Sequence, residues 1–423
     1  MALAQQEYMV RLRRYFHEHP ELSKQEDGTV DTICKELSDM DIPFVNVKNG
    51  GVFAFLGDEK RGRTVLLRAD IDALPGQESP LNGGGKPKVC VSKVDGVSHT
   101  CGHDCHAAML LGAAKALKAM ENELEGRVVL MFERGEEGGG NIAYLLKWAF
   151  EHGLQPDTSF GMHVFPTAPT GKIEIAQGAA MAGAIPFRIK LIGKAAHGSA
   201  PSEGVNPIDC FVAIYNSMQS LRMRFANPYD GMVFSVGKVQ AGTVGNIIPG
   251  ELEFAGSFRV LNDADALRVW EELVRTVDLT AELYHCRAEY AIRRPTLTLK
   301  NDPACTSFSK TVLSEALGAE NVLSCNANMA SESHCLTAAI WPGAYVFVGI
   351  CNEEKGMTAR NHNECFEPDE EALPVGAACH IAYAAEFLKN GPDTSDRIYR
   401  GSLRDFFTKY NPPSMFVFEE EDN

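Results

Sequence analysis

Apolar residues recur along the chain in two rhythms, short continuous runs and helical spacings, and the two alternate. Residues 63–69 and 127–132 form runs of the kind that fill a strand buried on both faces. Between them, Met109, Leu110, Ala113, Ala114 and Leu117 fall at helical spacing, with Asp104 placed to cap that helix. A second helix is predicted over 142–152 and a short strand over 159–163. Strand, helix, strand, helix, strand in this order predicts a parallel α/β sheet. In the middle of the chain the rhythm changes: strands are predicted over 185–192, 232–239 and 251–261, and helices over 207–222 and 264–284. That β-α-β-β-α order predicts a compact α+β insert with an antiparallel sheet. After about residue 296 the α/β pattern returns, with a strand over 344–349 and a helix over 371–388. One domain, 1–182 with 297–392, is therefore expected to be split by an inserted one, 183–296. The polar, acidic stretch 393–423 is expected to lie at the periphery.

Length and composition narrow the class. A chain of 423 residues has room for two or three domains and a large core. Its 45% hydrophobic and 23% charged residues are ordinary for a globular protein. No apolar run is long enough to predict a membrane-spanning helix. The first residues carry Arg11, Arg13 and Arg14 but no apolar core, which does not read as a secretory signal, so a cytoplasmic location is expected. The formal net charge of −16 opposes nucleic acid and anionic membranes as partners. An anionic small molecule remains open to the protein, provided a local positive site overcomes the global field. Twelve cysteines are scattered along the chain without a Cys-x-x-Cys pair, and most read as reduced, buried, small apolar residues. Cys101 is the exception.

The segment Cys101-Gly-His-Asp-Cys-His106 is the densest group of candidate ligands. Cys101 and His103 can face one point from a strand-to-helix turn, and thiolate with imidazole suits zinc and neighbouring transition metals. His106, further along the helix, reads equally well as a ligand or as a support. Glu136 and Glu137 follow a predicted strand, and adjacent carboxylates there can divide their labour, one holding a metal and one moving a proton. Such a pair alone is commonly a solvated loop; it gains weight because open α/β sheets build sites at strand C-termini. His163 ends another predicted strand, and His362 lies in a polar loop near the C-terminal end.

The ordered set of motifs resembles the aminoacylase and carboxypeptidase G superfamily of metallo-amidohydrolases. The similar branch holds hippurate hydrolases, indole-acetyl-amino-acid hydrolases and N-acetyldiaminopimelate deacetylases. The matching stretches are residues 13–23, Arg68-Ala-Asp-Ile-Asp-Ala-Leu-Pro75, Cys101 to His106, Glu136-Glu137, Gly161-Met-His163, Gly193-Lys-Ala-Ala-His197, Asn246-Ile-Ile-Pro249 and the His362 loop. The resemblance implies a zinc-peptidase-like catalytic domain with a mixed, mostly parallel sheet, interrupted by a smaller α+β, ferredoxin-like dimerisation and lid domain. It implies two divalent metal ions, zinc, manganese, cobalt or nickel, held by Cys101, His103, Glu137, His163 and His362. Glu136 would be the general base. His197 would stabilise the oxyanion from the other subunit of a homodimer. Asn246 and Arg259 would contact substrate, and Asp70 and Asp72 would support the ligands. Two departures fall near the pocket: Arg134-Gly135 replaces the usual Pro-Ala, and Ser333 follows Ser331-Glu332 where the family usually has Asp.

The activity implied is hydrolysis of the amide bond of an N-acyl amino acid or a dipeptide-like small molecule. A dipeptidase, carboxypeptidase-like or p-aminobenzoyl-glutamate-type hydrolase is the nearest alternative. A catalytically inactive binding protein on the same fold is a remote one, since such a protein has no chemical need for all six metal-site side chains.

Overall fold

The computed structural model describes residues 1–138, 140–227, 229–292 and 294–410. A mixed eight-stranded sheet runs in the spatial order Phe44–Val47, Gly51–Gly57, Gly126–Glu133, Arg63–Asp70, Thr158–Pro169, Gly343–Cys351, Ile173–Ala176 and Val322–Cys325. The four central strands are parallel, and antiparallel pairs lie toward both edges. Continuous apolar runs are explained by helices on both faces. Val65, Leu67, Val128 and Leu130 pack beneath helices Gln6–Glu18, His103–Ala119 and Leu373–Asn390. Their neighbours Leu66, Val129 and Met131 point the other way, against helix Ile142–Glu151. Alternating side chains thus serve two layers, and no position in these strands can be polar unless it is paired.

The insert is a four-stranded antiparallel sheet in the order Met232–Ala241, Glu251–Val260, Gly183–Ile192, Arg287–Ile292. Helices Pro207–Phe225 and Asp263–Leu283 share its core with Ile185, Ile189, Phe254 and Phe258. The βαββαβ order and strand arrangement are ferredoxin-like. Its last strand, Arg287–Ile292, escaped the sequence pattern because it lies at a sheet edge with most side chains exposed and little apolar alternation.

Two sequence-based expectations are corrected. Asp104 does not cap its helix: Gly102 occupies that position with φ +96°, and Asp104 sits inside the first turn. Its carboxylate is turned to Arg13 Nε at 2.9 Å and His17 Nδ1 at 2.8 Å. The stretch after residue 393 is not peripheral as far as it is described. Leu403, Phe406 and Phe407 of helix Leu403–Tyr410 are buried in the cluster that holds Trp341, the gain in apolar burial drawing this amphipathic segment onto the domain. The acidic end, Glu419 to Asn423, lies outside the described residues.

Candidate metal centre

The candidate ligands converge at the C-terminal ends of the parallel strands. Strand Arg63–Asp70 delivers Asp70 and, just beyond it, Asp72; strand Gly126–Glu133 leads into Glu136 and Glu137; strand Thr158–Pro169 carries His163. Helix His103–Ala119 begins there, and its N-cap shapes the site. A Cβ at residue 102 would lie 2.4 Å from Val164 Cγ2, and the backbone is left-handed, so glycine alone fits between Cys101 and His103. Gly135, with φ +68°, plays the same part before the two glutamates. The Arg134 that precedes it binds Glu26 Oε2 through Nε at 2.8 Å, and Gly135 N–H donates to Glu26 Oε1. That ion pair anchors a loop in which the family usually carries Pro-Ala. His362 also has positive φ, +65°, a costly conformation held by its backbone N–H donating to Thr100 O.

Two donor sets overlap at Cys101. Cys101, His103 and His163 bring donor atoms within 4.8 Å of one another, and so do Cys101, Glu137 and His362. Cys101 Sγ lies 3.4 Å from His163 Nε2, and His362 Nε2 lies 3.1 Å from Glu137 Oε1. Supporting contacts fix which nitrogen is offered. His163 Nδ1 is 2.8 Å from Val164 O, so it carries the proton and leaves the Nε2 lone pair facing Cys101. His103 Nδ1 is 3.0 Å from Asp72 Oδ1, turning Nε2 toward Glu137. Asp72 Oδ2 accepts from Ser23 Oγ and from Glu137 N–H at 2.9 Å, so one carboxylate orients two candidate ligands.

His106 is a support and not a donor. Its Nδ1 is bonded to Asp70 and its Nε2 accepts from Val164 N–H at 2.9 Å, which uses both nitrogens. The grouping of His106 with Asp70 and His103 is therefore a hydrogen-bonded scaffold.

The side chains present suit cations. Glu137 Oε1 is buried and makes no aligned hydrogen bond, although His362 Nε2 stands within ion-pair distance. Burial pushes the Cys101 thiol well up and His163 down to about 4, leaving both neutral in the absence of a positive charge. Burial also disfavours a charged His103, yet Asp70 and Cys101 outweigh it and hold its pKa well up. A group of acids that draws a proton onto a buried imidazole is one in which a divalent ion can replace that proton.

Glu136 stands beside this group with a different partner, accepting from Ser333 N–H at 2.9 Å. Burial, with Glu332 and Glu137 nearby, raises its pKa well above the carboxylate range, the direction that suits a group taking and returning a proton near neutrality. A cavity of about 420 Å³ opens over Cys101, Glu136, Glu137, His163 and His362, and Arg259 enters it from the insert. Arg259 Nη1 donates to Ser331 Oγ at 2.5 Å. His197 and Asn246 are absent from this cavity. His197 lies on an exposed two-stranded ladder of the insert and Asn246 in the turn just before its second strand, where Gly198 N–H donates to Asn246 O and His197 Nδ1 contacts Ser199 Oγ.

Sequence reasoning gave no role to Arg68, Glu133, Glu332 or Ser333. Arg68 is fully buried and bonds Asp70 at 2.9 Å, and Glu133 and Glu332 at 2.8 Å. Ser333 Oγ donates to Glu133 Oε1 at 2.6 Å while its N–H holds Glu136. An arginine inside an otherwise apolar strand run was the available signal, because it demands buried carboxylates.

A model of peptidase family M20/M25/M40 matches residues 66–386. The chain belongs to that family. IAA-amino acid hydrolase ILR1-like 4 of Arabidopsis thaliana is 34% identical over 392 residues, 90% of this chain and 86% of the relative. N-acetylcysteine deacetylase of Bacillus subtilis (strain 168) is 32% identical over 374 residues, 87% and 94% of the two chains. The crystal structure of the Bacillus subtilis YXEP protein, described as a dinuclear metal binding peptidase, superposes with a TM-score of 0.73 at 30% identity. It covers 91% of this chain and 99% of its own. As an M20 member the chain is a hydrolase, and its resemblance to the aminoacylase and carboxypeptidase G superfamily holds, as does the split α/β fold. No helix among the described residues is long and apolar enough to cross a membrane.

Proposed function

We propose that this M20 hydrolase cleaves the amide bond of N-acyl amino acids with the help of two divalent ions. Cys101, His103, Glu137, His163 and His362 would hold them, and zinc, manganese, cobalt and nickel all suit that donor set. The observation that carries the reading is the overlap of two donor sets at Cys101, beside a cavity lined by Glu136, a carboxyl held by the Ser333 amide and also near His103 and Glu137, and by a cation, Arg259. The activities named for the Arabidopsis and Bacillus relatives, on amino acid conjugates and N-acetylcysteine, fit it.

When bound, such ions lower the pKa of water to roughly 7 and polarise the scissile carbonyl. Glu136 would take the proton from the attacking water and return it to the leaving nitrogen. The Ser333 N–H on Glu136 Oε1 would orient it for both transfers. Arg259 would bind the substrate carboxylate, a pairing the guanidinium geometry favours.

The proposed division is a catalytic domain, 1–182 with 297–392, and an insert, 183–296, with residues up to 410 packed on the former. His197 and Asn246, exposed here, would complete the site of a second copy in a homodimer. Mixing inactive His197→Ala and Glu136→Gln protomers should then restore activity in heterodimers; a monomeric active enzyme would contradict the arrangement. Twelve free cysteines suit a reducing, cytoplasmic setting. The function itself is tested by incubating metal-loaded protein with N-acetyl, N-benzoyl and indole-acetyl amino acids and with dipeptides. Release of free amino acid from the N-acyl compounds is expected, and cleavage of dipeptides alone would replace this reading with a dipeptidase.

A further inference from the structure

Arginine is costly to bury unpaired, and this chain, with 56 acidic against 40 basic residues, has carboxylates to spare. The three arginines buried among the described residues all end on them: Arg13 on Asp104, Arg68 on three acids, Arg134 on Glu26. Two arginines that line the cavity over the candidate metal centre, the half-buried Arg259 and the exposed Arg360, end on no carboxylate among the described residues. Arg259 is held by the Ser331 hydroxyl. Among the described residues the Arg360 side chain makes neither an ion pair nor a hydrogen bond.

Residue 360 is held in place from below. Asn361 Nδ2 donates to Cys101 O at 2.8 Å, and His362 N–H donates to Thr100 O at 2.8 Å. The Arg360 backbone is therefore pinned to the segment that carries the candidate metal ligands, so an exposed side chain that lines the cavity rises from a fixed base.

An N-acyl amino acid with a neutral side chain brings one carboxylate, which Arg259 takes. Resting on the reading of the protein as an N-acyl amino acid hydrolase, we propose that Arg360 reads a second carboxylate, so that the preferred substrates are dicarboxylic. The second acid can sit on the amino acid side chain, as in a glutamyl residue, or at the far end of the acyl group, as in a succinyl group. The chemistry recognised is the same.

The experiment compares acids with their amides. Zinc- or manganese-loaded protein is assayed with N-acetylglutamate against N-acetylglutamine, and with N-succinylmethionine against its succinamide counterpart. N-acetylmethionine serves as the one-carboxylate reference. In parallel, dissociation constants for the same five compounds are measured by calorimetry in the Glu136→Gln protein. At least one acid should exceed its amide by about tenfold in kcat/KM and in affinity, the scale of one charge-assisted hydrogen-bonded contact. The pair that shows the gain tells which end carries the second acid. Arg360→Gln should bring that acid-to-amide ratio close to one in both measurements. The inference is overturned if neither acid gains, or if the gain survives Arg360→Gln. If N-acetylmethionine is cleaved under either outcome, the broader reading stands on its own; if none of the five is bound or cleaved, both fall together.

Discussion

Replacing Arg68 by Met tests whether the floor of the site is held by charge. The methionine keeps most of the side-chain volume but removes the one guanidinium that Asp70, Glu133 and Glu332 share, leaving Asp70 with the His103 and His106 imidazoles. Breaking a buried ion pair from one side costs about 3–5 kcal/mol. Three such losses do not add here. Glu133, pushed up to about 7 mainly by burial, can protonate and relieve itself, whereas Asp70 and Glu332 overcome burial chiefly through the Arg68 charge. A total loss of about 3–5 kcal/mol is therefore expected, roughly 6–10 °C in unfolding temperature for a unit of this size. The pH dependence has a definite sign. Both acids titrate low in the folded protein, so their contribution is present above the unfolded carboxylate pKa and fades as the pH falls through the folded values. Without Arg68 these buried acids prefer to be protonated, so the deficit of the variant should be largest near pH 8 and shrink toward pH 5. Equilibrium urea unfolding of the metal-free proteins across that range measures it. A loss below about 1 kcal/mol, the scale of an exposed pair, or a deficit that grows on acidification, would refute the reasoning.

Other consequences are expected. Asp72→Ala should weaken metal binding by about 10- to 100-fold in competition with a chelator, since it releases both His103 and the Glu137 backbone. Glu78, held near 2 against the effect of burial by His17 and Lys88, should stabilise the fold by about 3 kcal/mol above pH 5, a contribution lost between roughly pH 5 and 2. Glu78→Gln should flatten that acid limb in unfolding experiments, and an unchanged limb would show that His17 finds another partner.

Much of this was legible in the residues, for physical reasons. Strands buried on both faces must be continuously apolar, so residues 63–69 and 127–132 announced the central sheet. The candidate metal-binding side chains are chemically unusual and gather at strand ends, where the motif order points to them. What stayed hidden depends on partners far away in sequence. Asp104 reads as a cap until Arg13, 91 residues earlier, is seen to bind it. Ser333 looked like a loss against the family pattern, yet it supplies a hydroxyl to Glu133 and an amide to Glu136, which no local pattern encodes. The last strand of the insert has too few buried side chains to leave a rhythm.

The central claim is that Glu136 moves the proton while Cys101, His103, Glu137, His163 and His362 hold two metal ions. It is tested most directly by metal analysis and turnover of Glu136→Gln side by side with the unaltered protein on one N-acyl amino acid. Two equivalents of metal in both proteins, with turnover lost only in the variant, is the expected result. Full turnover in Glu136→Gln, or metal lost along with activity, would contradict that division of labour.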